Sequence, residues 1–129
     1  MRLARWVFTA AGVYGLIVML PQLFLEARIG RDSPPPITHP EFFYGFVWVT
    51  VAWQIAFLVI GRNPSRFRAL MPVAVVEKFP FAITAFVLFA HARVGATILP
   101  FATIDILLGS LFVISYWRTP AIARTDPAA

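Results

Sequence analysis

Four long apolar stretches run through this 129-residue chain and restrict what it can fold into. A helix rises about 1.5 Å per residue, so about 20 apolar residues cross the roughly 30 Å hydrocarbon layer of a bilayer. Hydrophobic residues make up 60% of the sequence, more than a soluble core of this size needs. The pattern therefore predicts an all-α, four-span integral membrane protein with spans at about 6–25, 42–60, 69–90 and 96–117.

The arginines between these spans predict the orientation, because cytoplasmic loops carry an excess of basic residues. Their scatter over short connections also argues against nucleic acid as the partner that explains the net charge of +5. We expect a transmembrane four-helix antiparallel bundle with N- and C-termini cytoplasmic. In this topology the cytoplasmic side carries Arg2, Arg5, Arg62, Arg66, Arg68, Arg118 and Arg124, and the other side carries Arg28, Arg31 and Arg93.

The connections complete the predicted organisation, a single transmembrane domain at 1–118 and a cytoplasmic tail at 119–129. The first span is too long for a signal peptide and no cleavage site follows it, so we expect it to be retained. Prolines 34–36 predict a stiff, extended external loop over 26–41. The short turn from Arg62 to Arg68 predicts that the second and third spans are neighbours. No cysteine is present, which excludes disulfide and thiol chemistry.

Three charged residues interrupt the last two apolar stretches: Glu77 and Lys78 in the third span and Asp105 in the fourth. An ionisable group at bilayer depth costs about 3 kcal/mol, so it requires a partner or a water-filled cavity. The long stem of Lys78 can reach either carboxylate. The sequence thus predicts a cluster of the three residues, with Gln54 as a lateral hydrogen-bond partner and Tyr14 as a nearby hydroxyl.

Pro80 lies close to this predicted cluster. It lacks the amide donor that would bond the carbonyl of Val76, so a kink or widened turn is expected beside Glu77. The cluster then has two interpretations. It forms a buried ion pair that fixes helix register, or it binds a ligand or moves a proton.

A second group of polar residues, His39, Pro40 and Glu41, precedes the second span. One imidazole and one carboxylate are too few for catalytic zinc, which takes three protein ligands, so we predict no metal and no cofactor. A helix start explains the group, with Pro40 in the first turn and Glu41 at the positive end of the dipole. The alternative is a lid in which His39 and Glu41 exchange protons over a cavity.

Four motifs of the sequence occur together: His39 to Phe46, Trp53-Gln54, Glu77-Lys78, and Asp105 with Tyr116 to Thr119. In this combination they resemble a group of small bacterial four-span proteins without an assigned activity. The resemblance covers nearly the whole chain and implies a multi-pass protein of the bacterial inner membrane. More loosely, the layout is similar to emopamil-binding and sigma-receptor-like membrane proteins, in which acidic groups bind cationic or sterol-like ligands. By size and span count alone it is similar to DoxX-like proteins.

Three function classes remain open. The first is a membrane protein that binds a small lipophilic or cationic ligand. The second is an intramembrane isomerase acting on a lipid-like substrate, with Glu77 and Asp105, or His39 and Glu41, exchanging protons. The third is a structural or accessory subunit of a membrane complex. In every case the expected partners include the lipid bilayer. A homo-oligomer or another membrane protein as partner is left open. The expected ligand-binding residues are Glu77, Lys78, Asp105, Gln54, Tyr14 and Trp53.

Overall fold

The computed structural model describes residues 2–123, and all regular structure in that range is helical. Met1 and the end of the predicted tail, residues 124–129 with Arg124, lie outside the described residues. Short 3-10 helices at Leu20–Phe24, Arg68–Leu70 and Ala96–Ile98 adjoin the longer elements. The α-helices are α1 (Arg2–Met19), α2 (Glu26–Asp32), α3 (Pro40–Arg62), α4 (Met71–Ala90) and α5 (Leu99–Arg118).

Four helical segments are long and apolar enough to cross a membrane, which confirms the predicted number of spans. Their ends differ slightly from the prediction, and the first begins at Arg2 instead of at residue 6. Helical backbone continues through terminal arginines and prolines where the hydropathy of the sequence already falls. The segments are Arg2–Phe24, Pro40–Arg62, Arg68–Ala90 and Ala96–Arg118.

Proline marks the start of three of these helices, as its missing amide donor permits in a first helical turn. Pro40, Pro72 and Pro100 occupy the first or second position of α3, α4 and α5. His39 is the N-cap of α3, and its side chain makes no capping hydrogen bond. The predicted helix start at this position is therefore confirmed.

The helices pack in the order α3, α1, α5 and α4, with α1 chiefly against α3 and α5 chiefly against α4. The second and third spans, which the short turn predicts to be neighbours, touch only lightly. A short connection keeps two helix ends together, but small residues decide where backbones approach closely in lipid. Gly12, Gly15 and Gly61 lie in the α1–α3 contact, and Gly109 lies in the α4–α5 contact.

Aromatic rings join three of the helices in a buried core. The rings of Phe8 and Phe112 stack with their centroids 4.2 Å apart, and Phe57 meets Phe112 edge-on at 5.0 Å. Edge-on and offset-stacked rings of this kind add to the stabilisation that burial supplies. The core therefore ties α1, α3 and α5 together.

The external loop is not extended throughout, contrary to the sequence prediction. Its first half is the helix α2, and only the segment after Asp32 is irregular. Proline restricts its own position and the residue before it, so the prolines at 34–36 leave the preceding residues able to form a helix. Tyr44 of α3 donates a hydrogen bond to Glu26 Oε2 at 2.8 Å, which anchors the start of α2.

Candidate functional site

The α4 and α5 helices bring together the three charged residues that interrupt the apolar stretches. Lys78 Nζ donates a hydrogen bond to Asp105 Oδ1 at 3.1 Å and lies 3.3 Å from Glu77 Oε2. The Lys78 side chain is 5% exposed, and each acidic side chain is 15% exposed. A single ammonium is thus shared by two carboxylates inside two candidate spans.

The close approach of α5 to α4 beside this cluster depends on Gly109. A Cβ at position 109 would lie 3.2 Å from Lys78 Cβ and 3.1 Å from the ring of Phe79. Asp105 precedes Gly109 by one helical turn and so lies on the same face of α5. The glycine therefore brings the Asp105 carboxylate within reach of the ammonium.

The cluster carries more negative than positive charge when all three groups are ionised, since two carboxylates face one ammonium. The ammonium also lies 5.4 Å from the ring centroid of Phe57, which adds a cation–π contact. Glu77 Oε2 is buried and makes no hydrogen bond with any described residue. An excess charge at this depth requires a proton, a cation or water to balance it.

Gln54 does not bond to the acids but to its own helix. Its Nε2 donates to the carbonyl of Thr50 at 3.0 Å, and its buried Oε1 has no hydrogen-bond partner among the described residues.

The two aromatic residues predicted to join the cluster are both partly buried. Tyr14 is half-buried and within electrostatic reach of Asp105. Trp53 is half-buried, with its ring 6.2 Å from that of Phe57.

The predicted kink at Pro80 does not interrupt the helix. The α4 helix runs unbroken from Met71 to Ala90, with Pro80 in its interior. Pro80 is exposed and Lys78 is buried, so the proline lies on the outer face of α4. The charged cluster therefore lies on a helix that continues through Pro80.

His39 and Glu41 form a separate, exposed pair at the start of α3. His39 Nδ1 lies 3.4 Å from Glu41 Oε1, and the two side chains are 68% and 64% exposed. The His39 ring also rests 5.4 Å from the ring of Phe42. About 25 Å of helix separates this pair from Phe57, which contacts the charged cluster. The two candidate proton-exchange pairs therefore do not form one site.

The structure also contains an arginine contact that sequence reasoning missed. Arg68 Nε donates to the carbonyl of Thr119 at 2.7 Å and to that of Tyr116 at 3.3 Å, and the guanidinium lies 3.8 Å from the centroid of the Tyr116 ring. These carbonyls belong to the end of α5, where no further helical amide can bond them. Thr119, assigned to the tail from the sequence, is buried and donates from its hydroxyl to Ser115.

Metal binding has no support from residue clustering in the part of the chain that the structure describes. No group of three or more His, Cys, Asp or Glu residues there is placed to hold a metal ion. The acidic pair that does meet is bridged by the Lys78 ammonium.

No protein-family model, curated protein or solved structure matches this chain. The function must therefore be inferred from the geometry and the charge of the site.

Proposed function

We propose that this protein is a multi-pass protein of the inner membrane that binds a small cationic or lipophilic molecule at the Glu77, Lys78 and Asp105 cluster. One observation carries the proposal: two carboxylates share one ammonium at 3.1 and 3.3 Å in a buried site. When all three groups are ionised, this leaves an excess of negative charge. A cationic ligand supplies the missing positive charge.

The surroundings of the cluster favour a ligand with an apolar body. The ammonium lies near the Phe57 ring, and both the Phe79 ring and the Lys78 side chain pack at Gly109. Binding sites of this kind combine an apolar lining with a few polar groups that orient the ligand. The light packing of α3 against α4 supports a lateral route from the bilayer to the cluster.

The same proposal includes an antiparallel bundle with both termini in the cytoplasm. Support comes from the contacts at the basic helix ends. A Cβ on Gly61, near the end of α3, would lie 3.1 Å from the Thr9 amide in the first half of α1. Arg68, just before α4, contacts Thr119, just after α5. These contacts favour one common basic end, which the positive-inside rule assigns to the cytoplasm.

The test is native mass spectrometry of the gently extracted protein, together with binding of the hydrophobic cation tetraphenylphosphonium. Glu77→Gln and Asp105→Asn are expected to lose a co-purifying molecule and to bind the cation more weakly. Glu41→Gln is the matched control, since it removes an exposed carboxylate far from the cluster.

The opposite result would be equal cation binding in all four proteins, with the two cluster variants only less heat-stable. The charged residues would then form an ion pair that holds α4 and α5 in register, without binding a ligand.

A further inference from the structure

The basic end of the bundle contains an open groove of about 480 Å³ that is separate from the charged cluster. It lies between the α3–α4 connection, the start of α4 and the residues that follow α5. Arg66 and Arg68 line it together with Pro72, Tyr116 and Ile122. No acidic residue is among the described residues that line the groove, so its charge is positive.

An apolar furrow of about 200 Å³ adjoins this groove on the outside of α4 and α5. Pro72 and Tyr116 line both depressions, and Val75 and Val113 complete the furrow. Each valine lies one turn further into its candidate span than the shared residue of the same helix. The two depressions therefore form one continuous surface, basic at the helix ends and apolar towards the middle of the spans.

The two arginines differ in how firmly they are held. Arg68 is half-buried and is fixed by Nε bonds to two carbonyls and by its contact with the Tyr116 ring. Arg66 is exposed, with its guanidinium 5.6 Å from the Phe67 ring. A guanidinium fixed by contacts beside an exposed one suits an oxygen-rich anion, because both present planar forks of N–H donors.

We propose that this surface binds an anionic phospholipid, with its head-group phosphate at Arg66 and Arg68 and the first part of an acyl chain along Val75 and Val113. The adjoining furrow favours a lipid over a free phosphate, since a free phosphate has no apolar part to bury there. Basic residues at the ends of spans attract anionic lipids in this way. The site shares no residue with the Glu77 cluster, so the inference does not depend on the proposed function.

The test compares retention of phosphatidylglycerol and phosphatidylcholine with the same acyl chains by native mass spectrometry. We expect phosphatidylglycerol to be retained preferentially, and Arg66→Gln to weaken its retention about fivefold, the effect of one basic residue near an anionic surface. Arg62→Gln removes the same charge one turn earlier, outside the groove, and is expected to leave retention unchanged.

A second variant tests the furrow. Val113→Trp fills it with a larger side chain and is expected to weaken retention of phosphatidylglycerol while binding of the soluble glycerol 3-phosphate stays unchanged.

Three outcomes decide the proposal. An equal loss of phosphatidylglycerol retention in Arg62→Gln and Arg66→Gln would show diffuse electrostatic attraction and would contradict a specific site. Unchanged lipid retention in Val113→Trp would overturn the acyl-chain assignment. Glu77→Gln should retain the lipid, which separates this test from that of the proposed function.

Discussion

Gly15 of α1 lies directly against the buried side chain of Gln54 of α3, so that a Cβ at position 15 would overlap the amide. The amide is itself held by its bond to Thr50. One turn earlier, a Cβ on Gly12 would lie 2.8 Å from the Gln54 carbonyl oxygen. The α1 helix therefore meets α3 through glycines, which have no side chain to keep the two backbones apart.

This contact predicts that Gly15→Val lowers stability by about 1 to 3 kcal/mol, the usual cost of overpacking. Thermal unfolding in detergent measures the loss. Gly45→Ala is the matched control, because a Cβ there meets no atom within 4 Å and alanine favours the helix. A Gly15→Val protein as stable as the control would contradict the packing.

The shared ammonium predicts that Lys78→Met costs about 3 kcal/mol, because two buried carboxylates then lose the ammonium that they share. Adding Glu77→Gln and Asp105→Asn should restore most of the loss by removing the unpaired charges. Unfolding curves of the single and triple variants provide the comparison. A triple variant less stable than Lys78→Met would show that the charges themselves stabilise the bundle.

The Arg68 contact predicts that Arg68→Gln loosens the end of α5 and costs about 1 to 2 kcal/mol, since charge-assisted bonds to two carbonyls are lost. Faster hydrogen exchange at the amides of residues 116–119 is the expected sign. Arg118→Gln removes an exposed charge from the same helix end and should leave exchange nearly unchanged. Equal exchange in both variants would mean that Arg68 does not hold this end.

The proposed topology predicts opposite labelling of two engineered cysteines, in a chain that has none of its own. On intact cells, a membrane-impermeant maleimide should label Ser33→Cys in the external loop. Asn63→Cys, in the connection between α3 and α4, should react only after the membrane is opened. Both positions are exposed, so burial does not confuse the comparison. The reverse labelling pattern would show that the bundle is inserted in the opposite orientation.

Local sequence patterns were sufficient for the four spans of this fold. The number of spans follows from runs of apolar residues, and the start of α3 at Pro40 follows from the missing amide donor of proline. The meeting of Lys78 with both acids was also predictable, because a buried charge in a span must find a partner. The helical first half of the external loop was missed, since the prolines that follow α2 do not act on it.

The sequence by itself therefore determined where the four spans lie and which charges need one another. Only the tertiary structure decided that α1 pairs with α3 and α4 with α5, that Gln54 bonds its own helix, and that Arg68 holds the end of α5. Hydropathy and proline act over a few neighbouring residues. Helix pairing in lipid depends instead on the fit of whole surfaces, here at Gly15 and Gly109, between residues far apart in the chain.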